Sequence, residues 1–226
     1  MILALQVALA VAYALLAHAA SVGSARAALA ALLVLVALVL VAPLAHRRPW
    51  AWILAPLLAL GAWALHRAGL AMLPLLVVPV AFVWLVAWVF ARSLRAGRVP
   101  LINRIVSGLD RVPPERLEPE VAAYARRLTG AWAAVLFGLG VANLVLALLA
   151  TPGGLLDQVG LASPWPITRT QWSWFANLLN YGVVGGFFLL EFQWRQRRFP
   201  GRYQGFLDFL RRMGGLGPAF WHDLLR

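Results

Sequence analysis

Long apolar runs alternate with short polar segments along this chain. Six runs of about 20 residues carry hardly any charge: Ile2–Ala20, Ala27–Leu44, Pro49–Leu65, Leu70–Ala91, Gly130–Ala150 and Trp172–Trp194. A helix needs ~20 apolar residues to cross a hydrocarbon core of ~30 Å. The runs lack the alternating apolar and polar residues of membrane β-strands. Because lipid does not hydrogen-bond a bare backbone, we predict an all-α polytopic transmembrane helical bundle of about six spans.

The polar segments divide the chain into four parts. Residues 1–91 hold the first four predicted transmembrane helices, 92–129 form an arginine-rich loop, 130–194 hold the last two helices, and 195–226 form a tail. The end of the loop has the features of a helix start, because Pro119 suits the first position of a helix.

The tail carries apolar residues at helical spacing beside two arginines. The apolar residues are Tyr203, Phe206, Leu207, Leu210 and Met213, and the arginines are Arg211 and Arg212. This pattern predicts a C-terminal amphipathic helix lying in the membrane interface. The glycines and the proline of Gly214–Pro218 are expected to end it.

The composition agrees with a membrane protein. Hydrophobic residues make up 62% of the 226 residues, whereas soluble domains are roughly 45–50% apolar. There is no cysteine, which excludes disulfides, thiolate catalysis and cysteine-ligated metals.

The basic residues predict the orientation. The chain has a net charge of +12, and all 20 of its basic residues are arginine. A six-span topology puts 17 of them on one side and only Arg26, Arg67 and Arg169 on the other. By the positive-inside rule we predict a multi-pass protein of the bacterial inner (cytoplasmic) membrane with both termini cytoplasmic. Topology is therefore the first explanation of the charge, and we expect no nucleic-acid partner.

The first run could be a cleaved signal peptide or a retained span, because its small residues Ala17–Ala19 resemble a signal-peptidase site. No basic residue precedes this run, as one would in a signal peptide. We therefore expect the first span to be retained.

Few polar residues lie inside the predicted spans, where each is costly unless paired. Asn177, Asn180 and Tyr181 share one face of the last span. They are candidates for lining a cavity or holding a head group. Hydrogen bonding between helices is the alternative that we favour.

Glu191 is the only acid within a predicted span. One interpretation is a proton relay. The other is an ion pair with Arg195, which lies four residues later in the order that stabilises a helix. We favour the ion pair.

Other motifs point to packing rather than to chemistry. Gly182 and Gly186 have the spacing of a close helix contact, either within the protein or in a homo-oligomer. Gly138 and Gly140 lie mid-span without a preceding strand, so we predict helix packing there rather than a phosphate loop. The four histidines lie in separate segments: His18, His46, His66 and His222. We therefore expect no metal and no cofactor, and we identify no catalytic residues.

The loop after the fourth span is the most suggestive feature. Eight arginines fall within 36 residues, interleaved with Leu101, Ile102 and Ile105. Attraction to anionic membrane lipids explains part of this charge. The excess predicts a docking site for an acidic partner or a phosphate-bearing ligand, since guanidinium binds phosphate with two parallel hydrogen bonds. The candidate binding residues are Arg92, Arg95, Arg98 and Arg104.

This loop carries a family resemblance. The segment Phe90–Ile105 (FARSLRAGRVPLINRI) resembles the F-x-R-[TS]-L-R-x-G-R-x-P-L-I-x-R stretch of a family of small bacterial inner-membrane proteins. Their genes lie among fatty-acid-synthase-like genes for aryl polyene pigments, including the xanthomonadin type. Tyr124–Trp132 (YARRLTGAW) and Phe175–Tyr181 (FANLLNY) also fit this family. The likeness covers roughly residues 85–212, and Val99 stands where the family has an acid.

The resemblance implies an accessory role in making or exporting an aryl-polyene lipid, with acyl carrier protein or the condensing enzymes as partners. Some members carry the label "ketosynthase", but a condensing enzyme needs a nucleophilic cysteine, which this chain lacks.

Three functions remain open. The first is a non-enzymatic accessory protein that docks soluble acyl-chain machinery at the membrane. The second is a membrane-embedded enzyme of acyl or glycosyl transfer. The third is a lipid translocase, which the lack of an internal repeat disfavours.

Overall fold

The computed structural model describes residues 2–21, 23–168, 171, 178–200, 206–217, 220 and 223. Within these residues the secondary structure is helical, which confirms the predicted all-α class. The helices follow in this order: α1 Ile2–Ser21, α2 Ala25–Ala45, α3 Pro49–Arg67, α4 Met72–Ser93, α5 Leu101–Asp110, α6 Pro119–Leu149, α7 Leu155–Gln158, α8 Val184–Arg198 and α9 Phe206–Gly214. A 3₁₀ turn, Pro114–Arg116, precedes α6, and a π-helical turn, Leu178–Val183, leads into α8.

Five of these helices are long and apolar enough to cross a membrane: α1, α2, α3, α4 and α6. The protein therefore has the character of a membrane protein. The sixth predicted span begins in residues 172–177, which lie outside the described part of the chain, and the chain is helical from Leu178 to Arg198.

The predicted loop 92–129 differs from the structure. It contains the whole of α5, and α6 begins at Pro119 rather than at the predicted span start, Gly130. Pro119 does occupy the helix start, as its position in the sequence predicts. The loop is therefore largely helical, with a turn between α4 and α5.

The chain forms two compact units, Met1–Pro79 with Ala147–Pro166, and Val80–Leu146 with Ile167–Arg226. The core of the first unit is built from small side chains, including Ala28 and Ala31, which are almost fully buried. Small residues let helix backbones approach closely, which is how helices associate where the solvent is lipid.

In the second unit, the end of α4 packs against α6 around one glycine. The indole ring of Trp84 lies where a side chain at Gly140 would start, and its Nε1 donates a hydrogen bond to the Phe137 carbonyl at 3.2 Å. The predicted packing role is confirmed at Gly140. No atom lies within 4 Å of a Cβ built at Gly138.

The predicted tail helix is present as α9. Phe209 of this helix is buried and packs against Phe188 and Phe192 of α8 at ring distances of 6.1 and 5.9 Å. Leu207 and Leu210 are exposed, as an amphipathic helix at an interface requires. Tyr203, which the pattern included, lies beyond the described residues.

Candidate functional site

A tight turn joins α4 to α5. Gly97 has φ +79°, a left-handed conformation that costs side-chain-bearing residues about 1–2 kcal/mol. The hydroxyl of Ser93, the last residue of α4, accepts a hydrogen bond from the Leu101 N–H at 2.9 Å and donates one to the Phe90 carbonyl at 2.7 Å. Ser93 thus fixes the start of α5 against the end of α4.

A second hydroxyl holds α5 against α6. The N–H of Ile102 donates to Thr129 Oγ1 at 3.2 Å, and that hydroxyl donates to the Ala125 carbonyl at 2.8 Å. Pro100, at the cap position, has no side chain that accepts a hydrogen bond. Hydroxyls from α4 and α6 therefore satisfy two of the N–H groups that every helix start leaves unpaired.

The apolar residues of this segment face inward. Leu101, Ile102 and Val106 are buried. Ile102 and Val106 belong to a core with residues of α6 such as Val121 and Ala125. These buried side chains pack α5 against its neighbours, because an amphipathic helix buries its apolar face.

Three of the four candidate arginines come together. Arg92, Arg98 and Arg104 line one cleft of about 260 Å³. The rest of the lining is Val89, Ser93, Val99 and Leu101. Arg95 is exposed and does not line the cleft. We call this site the arginine cleft.

Each arginine reaches the arginine cleft from a different element. Arg92, in the last turn of α4, has its guanidinium 4.8 Å from the centre of the Trp88 ring. Arg98 lies in the turn, and Arg104 lies on α5 and donates to the main-chain carbonyl of Asp223 at 2.7 Å. The described lining holds three cations and no acid. Such a cleft attracts an anion with several oxygens, such as a phosphate or a pair of carboxylates.

Of the candidate residues Asn177, Asn180 and Tyr181 in the last span, the structure describes Asn180 and Tyr181. Asn180 exchanges two hydrogen bonds with Asn143 of α6, at 2.8 and 3.3 Å. Asn143 also donates to the Leu139 carbonyl at 2.9 Å. Tyr181 is 78% exposed, and Asn177 falls among the residues that the structure does not describe. For Asn180, the interhelical hydrogen bond that we favoured is therefore the observed arrangement.

Glu191 is buried in an ion pair. Its carboxylate lies 3.2 Å from Nε of Arg195, as the spacing predicts, and it accepts a hydrogen bond from the Tyr124 hydroxyl at 3.2 Å. The guanidinium of Arg195 lies 4.4 Å from the centre of the Phe209 ring. Tyr124 and Phe209 are distant in sequence from Glu191 and were not predicted. We call these four residues the Glu191 network.

A second, larger groove opens between α6 and α8. Its volume is about 760 Å³. Glu191 and Tyr124 are in its wall, together with Arg127, Arg198 and Trp194. No sequence pattern indicated this groove, because its two walls lie some 60 residues apart in the chain.

Among the described residues, no group of three or more His, Asp or Glu side chains is placed to hold a metal ion. Comparisons with protein-family models, with curated proteins and with solved structures find no match to this chain.

Proposed function

We propose that this protein is a non-enzymatic accessory protein of the bacterial inner membrane that docks soluble acyl-chain machinery at the cytoplasmic surface. The partner is an acyl carrier protein or a condensing enzyme, and the pathway is aryl-polyene or related acyl-lipid synthesis. The observation that carries the proposal is the convergence of Arg92, Arg98 and Arg104 on one cleft.

The geometry of the arginine cleft supports docking. Its three cations come from a helix end, a turn and a second helix, and Ser93 and Thr129 hold these elements together. A preorganised set of cations loses less entropy on binding than three mobile side chains do. The positive-inside rule puts this turn on the cytoplasmic side, where soluble partners are found.

The polar residues favour docking over an intramembrane enzyme. Transfer chemistry in the last span would use Asn180 or Glu191 near the reacting group. Asn180 bonds to Asn143, and Glu191 pairs with Arg195. The first contact joins two helices, and Glu191 is also bound across helices by the Tyr124 hydroxyl, so both side chains are engaged in packing.

The experiment is deletion of the gene in its own host, followed by complementation. One complement carries Arg92→Gln, Arg98→Gln and Arg104→Gln. A matched control removes three exposed arginines that do not line the arginine cleft: Arg95, Arg116 and Arg197. Both variants lose three positive charges, so any effect on membrane topology is shared.

Docking predicts that deletion abolishes the pigment, that the control triple variant restores it, and that the cleft variant does not. Lipid extracts report pigment and acyl precursors, and an immunoblot reports protein level. Equal restoration by the two variants at equal protein level would refute the role of the arginine cleft. Pigment that is made in the deletion strain but stays in the inner leaflet would favour translocation instead.

A further inference from the structure

The groove between α6 and α8 has an apolar part and a charged part. Its apolar lining consists of Ala123, Leu128, Ala131, Phe187, Leu190 and Trp194. Its polar lining consists of Glu120, Tyr124, Arg127, Glu191 and Arg198. A groove of this composition suits an amphiphile better than a wholly polar or a wholly apolar ligand.

The length of α6 relates the groove to the bilayer. Its 31 residues extend about 46 Å, whereas the hydrocarbon core is ~30 Å thick. About ten residues therefore project beyond the core, and Arg126 and Arg127 place this projection at the start of the helix. On α6 the lining runs from Glu120, outside the core, to Ala131, at its edge. The charged part of the groove therefore lies at head-group depth, and its apolar part reaches the edge of the acyl-chain region at Ala131.

The wall formed by α8 runs in the opposite order along the chain, from an apolar beginning to a charged end. The lining residues of α8 run from Phe187 to Arg198, and the basic residues of this helix are in its last turn. Leu190 is 67% exposed and Trp194 is 64% exposed. Exposed apolar side chains at this depth face lipid, and tryptophan is enriched where acyl chains meet head groups. The groove is therefore open to the bilayer from the side.

The charges in the groove leave one cation without an acid. Arg198 forms an ion pair with Glu120, and Glu191 pairs with Arg195. Arg127 is exposed and lines the groove, and within the described part of the chain it makes no ion pair. The polar end of the groove therefore presents a guanidinium group at the depth of lipid phosphates.

We propose that this groove binds one anionic glycerophospholipid of the surrounding bilayer. Its phosphate lies on Arg127, and one acyl chain lies along Ala131, Phe187 and Leu190. Charge complementarity selects an anionic head group, and the lateral opening admits a lipid without removing it from the membrane. This site is separate from the arginine cleft and goes beyond the proposed docking function.

The test uses purified full-length protein, delipidated in detergent and titrated with one lipid at a time. The probes are dioleoyl phosphatidylglycerol and dioleoyl phosphatidylcholine, and native mass spectrometry counts bound lipid. We expect one tight phosphatidylglycerol per chain and weaker binding of phosphatidylcholine. Arg127→Gln should weaken phosphatidylglycerol binding about tenfold, the scale of a lost charge-assisted hydrogen bond, and should weaken phosphatidylcholine binding less, because the choline cation already offsets the charge of its phosphate.

Two further variants separate the site from general charge and from the annular lipid layer. Arg116→Gln removes an exposed arginine outside the groove and should bind phosphatidylglycerol as the wild type does. Ala131→Phe fills the apolar end and should weaken both lipids, whereas Ala134→Phe, on an exposed part of the same helix, should weaken neither.

Equal affinity for the two lipids, or equal effects of Arg127→Gln and Arg116→Gln, would overturn the proposal. Because Arg127 is not in the arginine cleft, pigment complementation by the cleft variants is independent of this result. A failure of one proposal therefore leaves the other standing.

Discussion

The burial of the Glu191 network predicts how much a substitution there lowers the free energy of unfolding. Glu191 is 8% exposed and Arg195 is 9% exposed. Replacing Arg195 with methionine keeps a long apolar side chain against Phe209 but removes the cation. Glu191 is then left buried with the Tyr124 hydroxyl as its described partner. Removing one partner of a buried ion pair costs about 3–5 kcal/mol, so we expect the free energy of unfolding to fall by that amount.

The double variant Glu191→Leu/Arg195→Met provides the comparison. It removes both charges at similar volume, and such replacements of buried ion pairs are often neutral or stabilising. The double variant should therefore be more stable than Arg195→Met alone by at least about 2 kcal/mol. This difference is the signature of a pair whose members are coupled.

The assay is unfolding in mixed micelles by titration with sodium dodecyl sulfate. Intrinsic fluorescence is a suitable probe, because the chain has 11 tryptophans. If the effects of Glu191→Leu and Arg195→Met simply add in the double variant, the two side chains are not coupled and the structural role assigned to them is wrong. If the double variant is stable and still restores pigment, a proton relay through Glu191 is excluded.

Three smaller predictions use the same unfolding assay. Gly140→Ala should lower the free energy of unfolding by about 1–3 kcal/mol, because the new methyl group overlaps the Trp84 ring. An unchanged stability would contradict the observed packing. Asn180→Leu should lower the free energy of unfolding by about 1.2 kcal/mol, because it removes two hydrogen bonds to Asn143 and each is worth about 0.6 kcal/mol on average between membrane helices. Complete loss of pigment with normal protein levels would instead favour an enzyme. Gly97→Ala should lower the free energy of unfolding by about 1–2 kcal/mol, because φ there is +79°. A stabilising effect would mean that the turn differs from the one described.

The sequence predicts the apolar spans well, because each one is long and is recognised from the hydropathy of consecutive residues alone. Hydropathy alone marks α1 to α4, whose observed ends lie within a few residues of the predicted ones. The start of α6 is harder, since its first residues, Pro119 to Thr129, are too polar to count as part of a span. The local signal of a proline at the first helical position identifies that start correctly.

The helix α5 was missed for a different reason. It is only ten residues long and lies in a stretch whose arginines suggest a solvated loop. Its apolar residues do recur with helical spacing, from Leu101 and Ile102 to Ile105, Val106 and Leu109. This signal would have identified an amphipathic helix and placed Leu101 and Ile102 on its buried face.

Contacts between distant segments account for what remained unpredictable. The Glu191–Arg195 pair follows from a spacing of four residues. Its contact with Tyr124 depends on how α6 and α8 pack, 67 residues apart in the chain. Likewise, Arg104 joins the arginine cleft because α5 folds back against α4 and α6. No property of the loop residues alone fixes that fold.

The most direct test of the docking role is a binding measurement between the protein in nanodiscs and the acyl carrier protein of its own host. At low ionic strength we expect binding that weakens steeply as salt is added, because the contact is made by charges open to solvent in whole or in part. The cleft triple variant should bind about tenfold more weakly than the wild type, the scale of three ion pairs near the surface. The matched control triple variant should bind nearly as well as the wild type. Absence of binding at low salt, or equal binding by the two triple variants, would contradict the proposal that the arginine cleft is a docking site.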